Sequence, residues 1–379
     1  RSNNKNKKEK EKQERRKKEK RRDLCPTHNH TTQHKHTTKH TSMVEFSIFG
    51  VPLERRIQTL CVLIWSLTTP LFAGPFCLFW SLFFTVCFPF IGFFGVIAYF
   101  IWCYFDDTPQ KGGRPIKWVK NWTFWKYFAS YFPASLVVTH PLSPEENFIF
   151  GYHPHGIISI GAFLAFATEA LGFSKKLPGI ENRLMTLSMN FACPFFREYV
   201  LSMGVAEVSY KSCVYNLSQG PGRSITIVIG GASEALEAHP GCLDLTLNKR
   251  KGFVRVAFHT GSSLVPCIGF GENDLFDSVP NPPGSQLRRF QERMLRLFGY
   301  SAPLFHGRGI FNYNFGLLPY RHQLTIVTGE PIKVPKNLNP TNEEIEEIHA
   351  KYVGKLRELY ENNKDKYDPG RKQELRIVL

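Results

Sequence analysis

The sequence lacks the motifs of several common enzyme classes. It contains no P-loop and no G-x-G-x-x-G after a predicted strand. It has no G-x-S-x-G elbow either, because the nearest string, Gly231-Ala-Ser233-Glu-Ala235, lacks the second glycine. These absences disfavour an enzyme that binds nucleotide phosphates and a hydrolase with a serine nucleophile.

The cysteine spacing excludes a further group of proteins. Nine cysteines are scattered through 379 residues, and no two of them form a C-x-x-C pair. An odd number without such pairs argues against a disulfide scaffold and against a structural zinc site. A strongly apolar stretch contains four of them, for which reduced and buried thiols are predicted: Cys61, Cys77, Cys87 and Cys103.

Most of the net charge of +16 lies in residues 1–42. This segment holds 15 Lys and Arg against 5 Asp and Glu, whereas residues 43–379 hold 33 against 27. It has almost no large apolar side chain, so a disordered basic, histidine-rich tail is predicted. Since Met43 is the first methionine, we interpret the tail as an upstream extension. A nucleic-acid arm, an anionic-lipid patch and a metal-binding histidine run are the alternatives.

Charged side chains are absent from residues 57–105. These 49 residues exceed the roughly 20 that one transmembrane helix requires, and Ala73-Gly74-Pro75 predicts a break. The sequence therefore predicts a transmembrane hairpin of two segments, 57–72 and 76–104. The hairpin either crosses the membrane fully or is a re-entrant pair that does not cross it. Basic residues on both sides predict that both ends lie in the cytosol: Arg55, Arg56, Lys111, Arg114, Lys117 and Lys120.

Residues 107–379 alternate between strand-like and helix-like stretches and are predicted to form one cytosolic domain. Strands are predicted at 147–152, 224–229, 263–270 and 323–327, and helices at 157–171, 232–238 and 252–260. The order predicts an α/β fold with a mostly parallel, mixed sheet flanked by helices. Functional groups are then expected near the carboxyl ends of the strands.

Two further helices carry amphipathic patterns. Residues 285–298 form a basic helix that can lie on a membrane surface or present an ordinary solvated face. A capping box from Thr341 to Glu344 begins the last long helix. Its apolar stripe is predicted to pack on the core, through Ile345, Ile348, Tyr352, Leu356 and Leu359.

The strongest chemical signal is the motif His153-Pro154-His155-Gly156, between a predicted strand and a predicted helix. A helix dipole disfavours the imidazolium ion near a helix start, so a neutral histidine there can accept a proton. Pro154 fixes the backbone between the rings, and Gly156 permits close approach of another group. The alternatives are a metal site, for which no partner stands at matching local spacing, and a structural histidine pair.

Several short motifs occur together in one order along the chain. They are Tyr131-Phe132-Pro133, His153-Pro-His-Gly156, Gly230-Gly231-Ala-Ser-Glu234, Arg250-Lys-Gly252-Phe253, Leu264-Val-Pro266 and Phe270-Gly-Glu272-Asn273. With them, the sequence resembles the type 2 branch of the monoacylglycerol and diacylglycerol acyltransferases over essentially all of residues 43–379. Glu54-Arg55-Arg56 and Gln58-Thr59-Leu60 make it look more like the monoacylglycerol enzymes.

The resemblance implies acyl transfer from acyl-CoA, as a co-substrate, to a glyceride hydroxyl at the endoplasmic reticulum membrane, with a fold like that of the glycerolipid acyltransferases. It implies no cofactor, no metal and no nucleic-acid partner. The enzyme is expected to contact membrane lipid. Association with lipid droplets and formation of a homo-oligomer are compatible with the resemblance. The preferred acceptor is 2-monoacylglycerol, giving diacylglycerol. Diacylglycerol or a long-chain alcohol is the alternative, followed by an inactive membrane scaffold.

The resemblance also suggests roles for individual residues. His153 or His155 serves as general base, and backbone N–H groups at the helix start after Gly156 stabilise the oxyanion. Related glycerophosphate acyltransferases use His-x4-Asp, but Ile158 and Ile160 stand at the matching positions here. Glu169 and Glu234 are the candidate replacements for that carboxylate. The predicted substrate-binding residues form three groups and one single residue. Tyr131, Phe132 and Pro133 line an acyl path, and Gly156, Gly230 and Gly231 lie beside the substrate. Lys249, Arg250, Lys251 and Arg255 bind the CoA phosphates, and Asn273 is a further substrate-binding residue.

Overall fold

The computed structural model describes residues 50–68, 70–282, 284–298, 303–313 and 315–378. The predicted tail of residues 1–42 and the predicted start at Met43 lie outside these ranges. In the predicted hairpin, all four cysteines are free thiols, but only Cys61 and Cys77 are buried. The prediction of burial is therefore wrong for Cys87, which is exposed, and for Cys103, which is half-buried.

The apolar run forms three helices, α1 (Leu53–Leu67), α2 (Pro70–Cys87) and α3 (Pro89–Phe105). The predicted break at residues 73–75 is wrong, because α2 continues through Pro75. Proline in the second turn removes one backbone hydrogen bond without ending this helix. The chain turns instead at Phe88, and Pro89 begins α3 at the position that proline favours.

Helices α2 and α3 pack against each other, whereas α1 packs on the rest of the domain. The ring centroids of Trp65 in α1 and Phe128 lie 5.0 Å apart. The hairpin therefore comprises residues 70–105 rather than 57–105. No helix within the described ranges is both long enough and apolar enough to span a membrane.

The strands of the described ranges are β1 (Ser135–Val138), β2 (Phe148–His153), β3 (Glu181–Thr186), β4 (Ala206–Glu207), β5 (Arg223–Val228), β6 (Asp244–Thr246), β7 (Ser263–Phe270), β8 (Asp277–Ser278), β9 (Phe305–His306), β10 (Thr325–Thr328) and β11 (Arg376–Val378). Seven of them form the central sheet, in the order β1-β10-β7-β2-β5-β3-β4, and β6 with β11 and β8 with β9 form two small sheets. In the central sheet β10 and β7 are antiparallel and the other pairs are parallel, which confirms the predicted mixed, mostly parallel α/β sheet.

Alternating residues of β2 face two separate cores. Phe150 and Tyr152 pack with the layer that contains α1, while Ile149 packs with the layer of the last long helix. The remaining helices are α4 (Lys117–Lys120), α5 (Thr123–Tyr131), α6 (Ile160–Ala162), α7 (Phe173–Lys176), α8 (Phe196–Ser202), α9 (Tyr210–Leu217), α10 (Gly231–Ala235), α11 (Gly252–Thr260), α12 (Gln286–Phe298), α13 (Asn342–Glu361) and α14 (Lys364–Tyr367).

The helix predicted at residues 157–171 is wrong in extent. A loop follows the histidine motif, α6 has a single turn, and a π-helical segment at Phe163–Ala167 completes the element. The helix predicted at residues 232–238 is also shorter, since α10 ends at Ala235. Helix α13 begins with the predicted capping box, in which Thr341 and Glu344 hydrogen-bond each other's backbone. Tyr352 and Leu356 of its stripe are buried as predicted.

Candidate active site

Three neighbouring parallel strands end at one place on the sheet. Strand β2 lies between β5 and β7, so the segments that follow these strands are brought together. The histidine motif follows β2, Gly230-Gly231 follows β5, and Gly271-Glu272-Asn273 follows β7. The structure therefore places these three motifs together at the carboxyl edge of the sheet, where open α/β sheets bind ligands.

Glu234 holds the backbone of the histidine motif. Its carboxylate is buried and accepts hydrogen bonds from the backbone N–H of His155 (2.6 Å) and of Thr246 (2.7 Å). Burial raises the pKa of Glu234 to about 7, although both N–H donors oppose this shift. The predicted association of Glu234 with the histidines is therefore present, but it reaches the main chain and not an imidazole nitrogen.

The side chain of His155 presents one nitrogen for chemistry. Its Nδ1 lies 3.0 Å from the carbonyl oxygen of Gly156. Because a carbonyl oxygen only accepts hydrogen bonds, Nδ1 carries the proton and Nε2 keeps its lone pair. Burial lowers the pKa of His155, with the Gly156 carbonyl opposing the shift. The ring is therefore neutral at pH 7 and suited to accept a proton.

His153 is held differently from His155. Its ring is fully buried, and its Nε2 lies 3.1 Å from the hydroxyl of Tyr352, which donates to the carbonyl oxygen of Gly151 at 3.1 Å. Burial lowers the pKa of His153 to about 3. The His153–Pro154 peptide bond is cis. With Tyr352 donating to Gly151, Nε2 donates to Tyr352, and the buried Nδ1 has no hydrogen-bond partner among the residues that the structure describes.

A second buried carboxylate, Glu272, holds the other side of the loop. It accepts hydrogen bonds from the backbone N–H groups of Ile160 (2.7 Å) and Gly161 (2.8 Å) and from the hydroxyl of Tyr152 (2.6 Å). Burial raises its pKa to about 7, against all three donors. A Cβ on Gly156 would lie 2.7 Å from the Cγ of Glu272, so the glycine permits this close contact.

The helix start therefore does not serve the role predicted for it. The N–H groups of Ile160 and Gly161, at the beginning of α6, are already bound to Glu272. They are not available to an oxyanion, and the predicted oxyanion donors at this helix start are wrong. The reason is that the helix starts four residues after Gly156 and is capped by a carboxylate from another strand end.

Glu169 does not reach the histidines. Its carboxylate accepts hydrogen bonds from the backbone N–H (3.1 Å) and the hydroxyl (2.6 Å) of Ser174, in the first turn of α7. The predicted orienting role of Glu169 is replaced by this local cap, because the helix that was expected to carry it beside His155 is interrupted.

Tyr131-Phe132-Pro133 is placed mainly by packing. Tyr131 and Phe132 are fully buried, and the Tyr131 hydroxyl donates to the carbonyl oxygen of Pro319 at 2.6 Å. The guanidinium of Arg321 stacks on the Tyr131 ring, 4.1 Å from its centroid. Pro133 is exposed. The acyl path predicted along these residues stays a prediction.

The predicted phosphate-binding cluster divides into two kinds of residue. Arg250 donates to the carbonyl oxygen of Gly230 (3.2 Å) and the hydroxyl of Ser233 (2.7 Å), which places its guanidinium at the Gly-Gly turn. Lys251 pairs with Glu346 on α13. Lys249 and Arg255 are exposed. Arg250 is thus the member that the structure brings to the site.

Asn273 is buried and donates to the carbonyl oxygen of Cys242 at 2.7 Å. Within the described part of the chain, its Oδ1 has no hydrogen-bond partner. Together with Pro154 and Glu272 it lines a small cavity at the end of β7. The described residues contain no cluster of three or more histidine, cysteine and acidic side chains with metal-ligand geometry.

Comparisons with known proteins identify the family to which the chain belongs. A match to the family described as diacylglycerol acyltransferase covers residues 80–378. The 2-acylglycerol O-acyltransferase 1 of Bos taurus is 48% identical over 333 residues, which cover 86% of this chain and 96% of that protein. The diacylglycerol O-acyltransferase 2A of Umbelopsis ramanniana is 46% identical over 333 residues, covering 86% and 92%. This chain belongs to the diacylglycerol acyltransferase family.

This diacylglycerol acyltransferase family member is an O-acyltransferase, as the motifs predict. Its candidate site includes two residues for which no functional role was predicted. Glu272 stands inside the motif Phe270-Gly-Glu272-Asn273 at a strand end, and that position is a signal that could have identified it. Tyr352 lies 199 residues from His153 in a stripe that reads as core packing, so no local pattern identifies it.

Gly230 offers a specific test of the Glu234 contact in this acyltransferase. A Cβ at Gly230 would lie 2.1–2.6 Å from the carboxylate of Glu234, although the backbone conformation suits alanine. We expect Gly230→Ala to displace the carboxylate from the His155 N–H and to lower kcat by at least about tenfold, the effect of one lost charged hydrogen bond. Gly354→Ala on α13, where a Cβ meets nothing within 4 Å, is the matched control. Equal activity of both variants would show that the carboxylate position is unimportant.

Proposed function

We propose that this enzyme transfers a fatty acyl group from acyl-CoA to the free hydroxyl of 2-monoacylglycerol, forming diacylglycerol. The observation that carries the proposal is the fixed tautomer of His155. Its Nδ1 is bound to the Gly156 carbonyl, and its Nε2 lone pair belongs to a neutral ring at the meeting point of three strands. Acyl transfer to an alcohol requires such a base, because a hydroxyl is a poor nucleophile until its proton is removed.

In the proposed reaction, Nε2 of His155 accepts the proton of the acceptor hydroxyl as its oxygen attacks the thioester carbonyl. The new ester bond forms as the carbon–sulfur bond breaks. The CoA thiolate leaves and takes up the proton that His155 received. A thiol is far more acidic than an alcohol, so the leaving group needs little assistance, and no covalent enzyme intermediate is required.

Arg250 is the proposed contact for the phosphates of CoA. Its guanidinium is anchored to the Gly230 carbonyl and the Ser233 hydroxyl, which fixes one side of the group at the end of β5. Arginine binds phosphate oxygens through paired N–H donors. Lys249, directly before Arg250, and Arg255 on α11 are also exposed and can extend this positive surface.

The choice of acceptor is the finer part of the proposal. The relatives at 46–48% identity include a protein named as a 2-acylglycerol acyltransferase and one named as a diacylglycerol acyltransferase. Residues 54–60 resemble the corresponding segment of the monoacylglycerol enzymes, which supports monoacylglycerol as the acceptor. Diacylglycerol is the second candidate, and a long-chain alcohol is the third.

We further propose that residues 70–105 attach the enzyme to the endoplasmic reticulum membrane, with the catalytic domain in the cytosol. Many large apolar side chains of this hairpin are exposed, including Phe90 and Ile91 at about 80%. A surface of this kind is unfavourable in water and is typical of contact with lipid. Both substrates carry acyl chains, so a membrane beside the site would supply them.

Transfer of radiolabelled oleoyl-CoA tests the acceptor. Microsomes from cells that express this chain receive 2-monoacylglycerol, diacylglycerol or a long-chain alcohol in separate reactions, and a His155→Ala variant is the control. We expect labelled diacylglycerol from the first acceptor in the wild type alone. Product from diacylglycerol only would replace the proposed acceptor, and no product from any acceptor would contradict the proposed reaction.

The two buried carboxylates predict the pH dependence. Burial raises the pKa values of Glu234 and Glu272 to about 7, while that of His155 is lowered. Both carboxylates must be ionised to accept all their hydrogen bonds, and His155 must be neutral. As the pH falls from 8 to 6, activity should therefore fall with a midpoint near 7, before His155 is protonated. A rate that is constant over this range would contradict the prediction.

A further inference from the structure

Helix α12 (Gln286–Phe298) exposes two large apolar side chains beside its basic face. Phe290 and Leu297 are 58% and 69% exposed, whereas the side chains of Arg288 and Gln291 are buried. An ordinary surface helix buries its apolar residues and exposes its charges. The outer face of α12 therefore presents large apolar side chains together with charges.

The exposed face also carries positive charge. Arg289, Arg293 and Arg296 are exposed, and at about 100° per residue they share an arc of roughly 120° with Phe290 and Leu297. Arg288 lies on the opposite face. The helix contains four arginines and one glutamate, and that glutamate, Glu292, is paired with Arg288. Arginines interleaved with Phe and Leu are typical of helices that lie in the interface of an anionic membrane.

A second exposed apolar segment follows later in the chain. Ile310, Phe311, Phe315 and Leu317 are between 43% and 68% exposed. The chain that follows them is fixed to α1 by Arg321, which donates to the side chains of Gln58 (2.6 Å) and Thr59 (3.0 Å) and to the carbonyl oxygen of Arg55 (2.9 Å).

Helix α1 itself exposes an apolar stripe, made of Leu53, Leu60, Ile64 and Leu67, just before the apolar hairpin. The exposed residues 310–313 and 315–317 are thus connected through Arg321 to the part of the chain that is proposed to contact lipid.

We propose that α12 and residues 310–317 form a second membrane contact, which binds the surface of a bilayer containing anionic phospholipid. The arginines contact the phosphate and carboxylate groups of the lipid, and Phe290 and Leu297 enter the interface. A bilayer accepts the charged and the apolar side chains of one helix face together. Each arginine near such a surface strengthens binding by about fivefold.

The buried face of α12 links this contact to the active site. Arg288 pairs with Glu237, and Asn281, which donates to Gln291 at 2.9 Å, also donates to the carbonyl oxygen of Leu236 at 3.3 Å. Both contacts are made to the residues that follow α10, the helix that carries Glu234. Binding of α12 to lipid would therefore steady the segment that holds the His155 main chain, and anionic lipid should raise the rate.

Hydrogen–deuterium exchange of the full chain in nanodiscs tests the contact without any turnover. One set of discs contains phosphatidylcholine, and the other contains phosphatidylserine as about a third of its lipid. We expect the amides of residues 286–298 to exchange at least about fivefold more slowly in the anionic discs. The variant R289Q/R293Q/R296Q should lose this protection, while K336Q/K351Q/R357Q, which removes three exposed charges elsewhere, should keep it.

Three outcomes would overturn the proposal. Equal exchange in both discs would show that α12 does not contact anionic lipid. Equal protection of the wild type and R289Q/R293Q/R296Q would show that the arginines do not recognise the anionic lipid. Protection of residues 286–298 by a protein partner in place of lipid would also contradict the proposal. Because exchange is measured without substrate, failure of the proposed acyl transfer would leave this result unchanged.

Discussion

Replacing His155 with alanine should lower kcat by about 10²–10⁴-fold, the usual contribution of a general base. The fold should persist, because Glu234 binds the backbone N–H of residue 155, which alanine retains. Replacing His153 with alanine should instead lower the melting temperature, since it removes a fully buried ring and its contact with Tyr352. Activity per folded protein and melting temperature in detergent, measured for both variants, separate the two roles.

His155→Gln is the control for this comparison. Glutamine retains the size and polarity of the side chain but cannot accept a proton at neutral pH, so its activity should match that of His155→Ala. If His155→Ala kept most of the activity while His153→Ala lost it without a fall in melting temperature, His153 would be the base. The buried, unpartnered Nδ1 of His153 would then be the atom to investigate.

Replacing Glu272 with glutamine should produce the largest combined loss of stability and activity. Both carboxylate oxygens accept backbone N–H groups, from Ile160 and Gly161, and one also accepts the Tyr152 hydroxyl. In either orientation, the amide NH₂ of glutamine faces a buried donor. An unsatisfied buried group costs about 1–3 kcal/mol, so the free energy of unfolding should fall by at least that amount. The loop after His155 would lose its position as well.

Two further variants measure this effect on a graded scale. Tyr152→Phe removes one donor and leaves both N–H bonds of Glu272, so its loss should be smaller. Glu169→Gln changes a carboxylate that accepts hydrogen bonds from the exposed Ser174 and faces the charge of Lys120, so its effect should be the smallest of the three. Melting temperatures and kcat should fall in the order Glu169→Gln, Tyr152→Phe, Glu272→Gln. A Glu272→Gln enzyme as stable and active as the wild type would refute the role given to this carboxylate.

The central sheet and its functional edge could be predicted because their signals are local. A run such as Ser224–Ile229 is β-branched and ends at two glycines, and the histidine motif directly follows a buried strand. These features fix where β5 and β2 end without knowledge of the rest of the chain. The carboxyl edge of a parallel sheet then brings the three motifs together.

The partners inside the site could not be predicted, because they depend on contacts between distant segments. Helix propensity favours residues 157–171, but the Glu272 carboxylate from another strand end binds the N–H groups at Ile160 and Gly161. A proline reads as a break wherever it stands, yet α2 continues through Pro75 and the chain turns at Phe88. Glu169 looked suitable only while it was expected to lie on an unbroken helix.

The position of the last elements has a consequence for the biosynthesis of the enzyme. Tyr352 on α13 completes the surroundings of His153, and β11 pairs in parallel with β6, whose Thr246 N–H holds Glu234. A nascent chain therefore contains both histidines long before it contains the residues that fix them. The ribosome must release residues 342–378 before the site can form, so truncations in this region should yield a protein that retains the hairpin but has no activity.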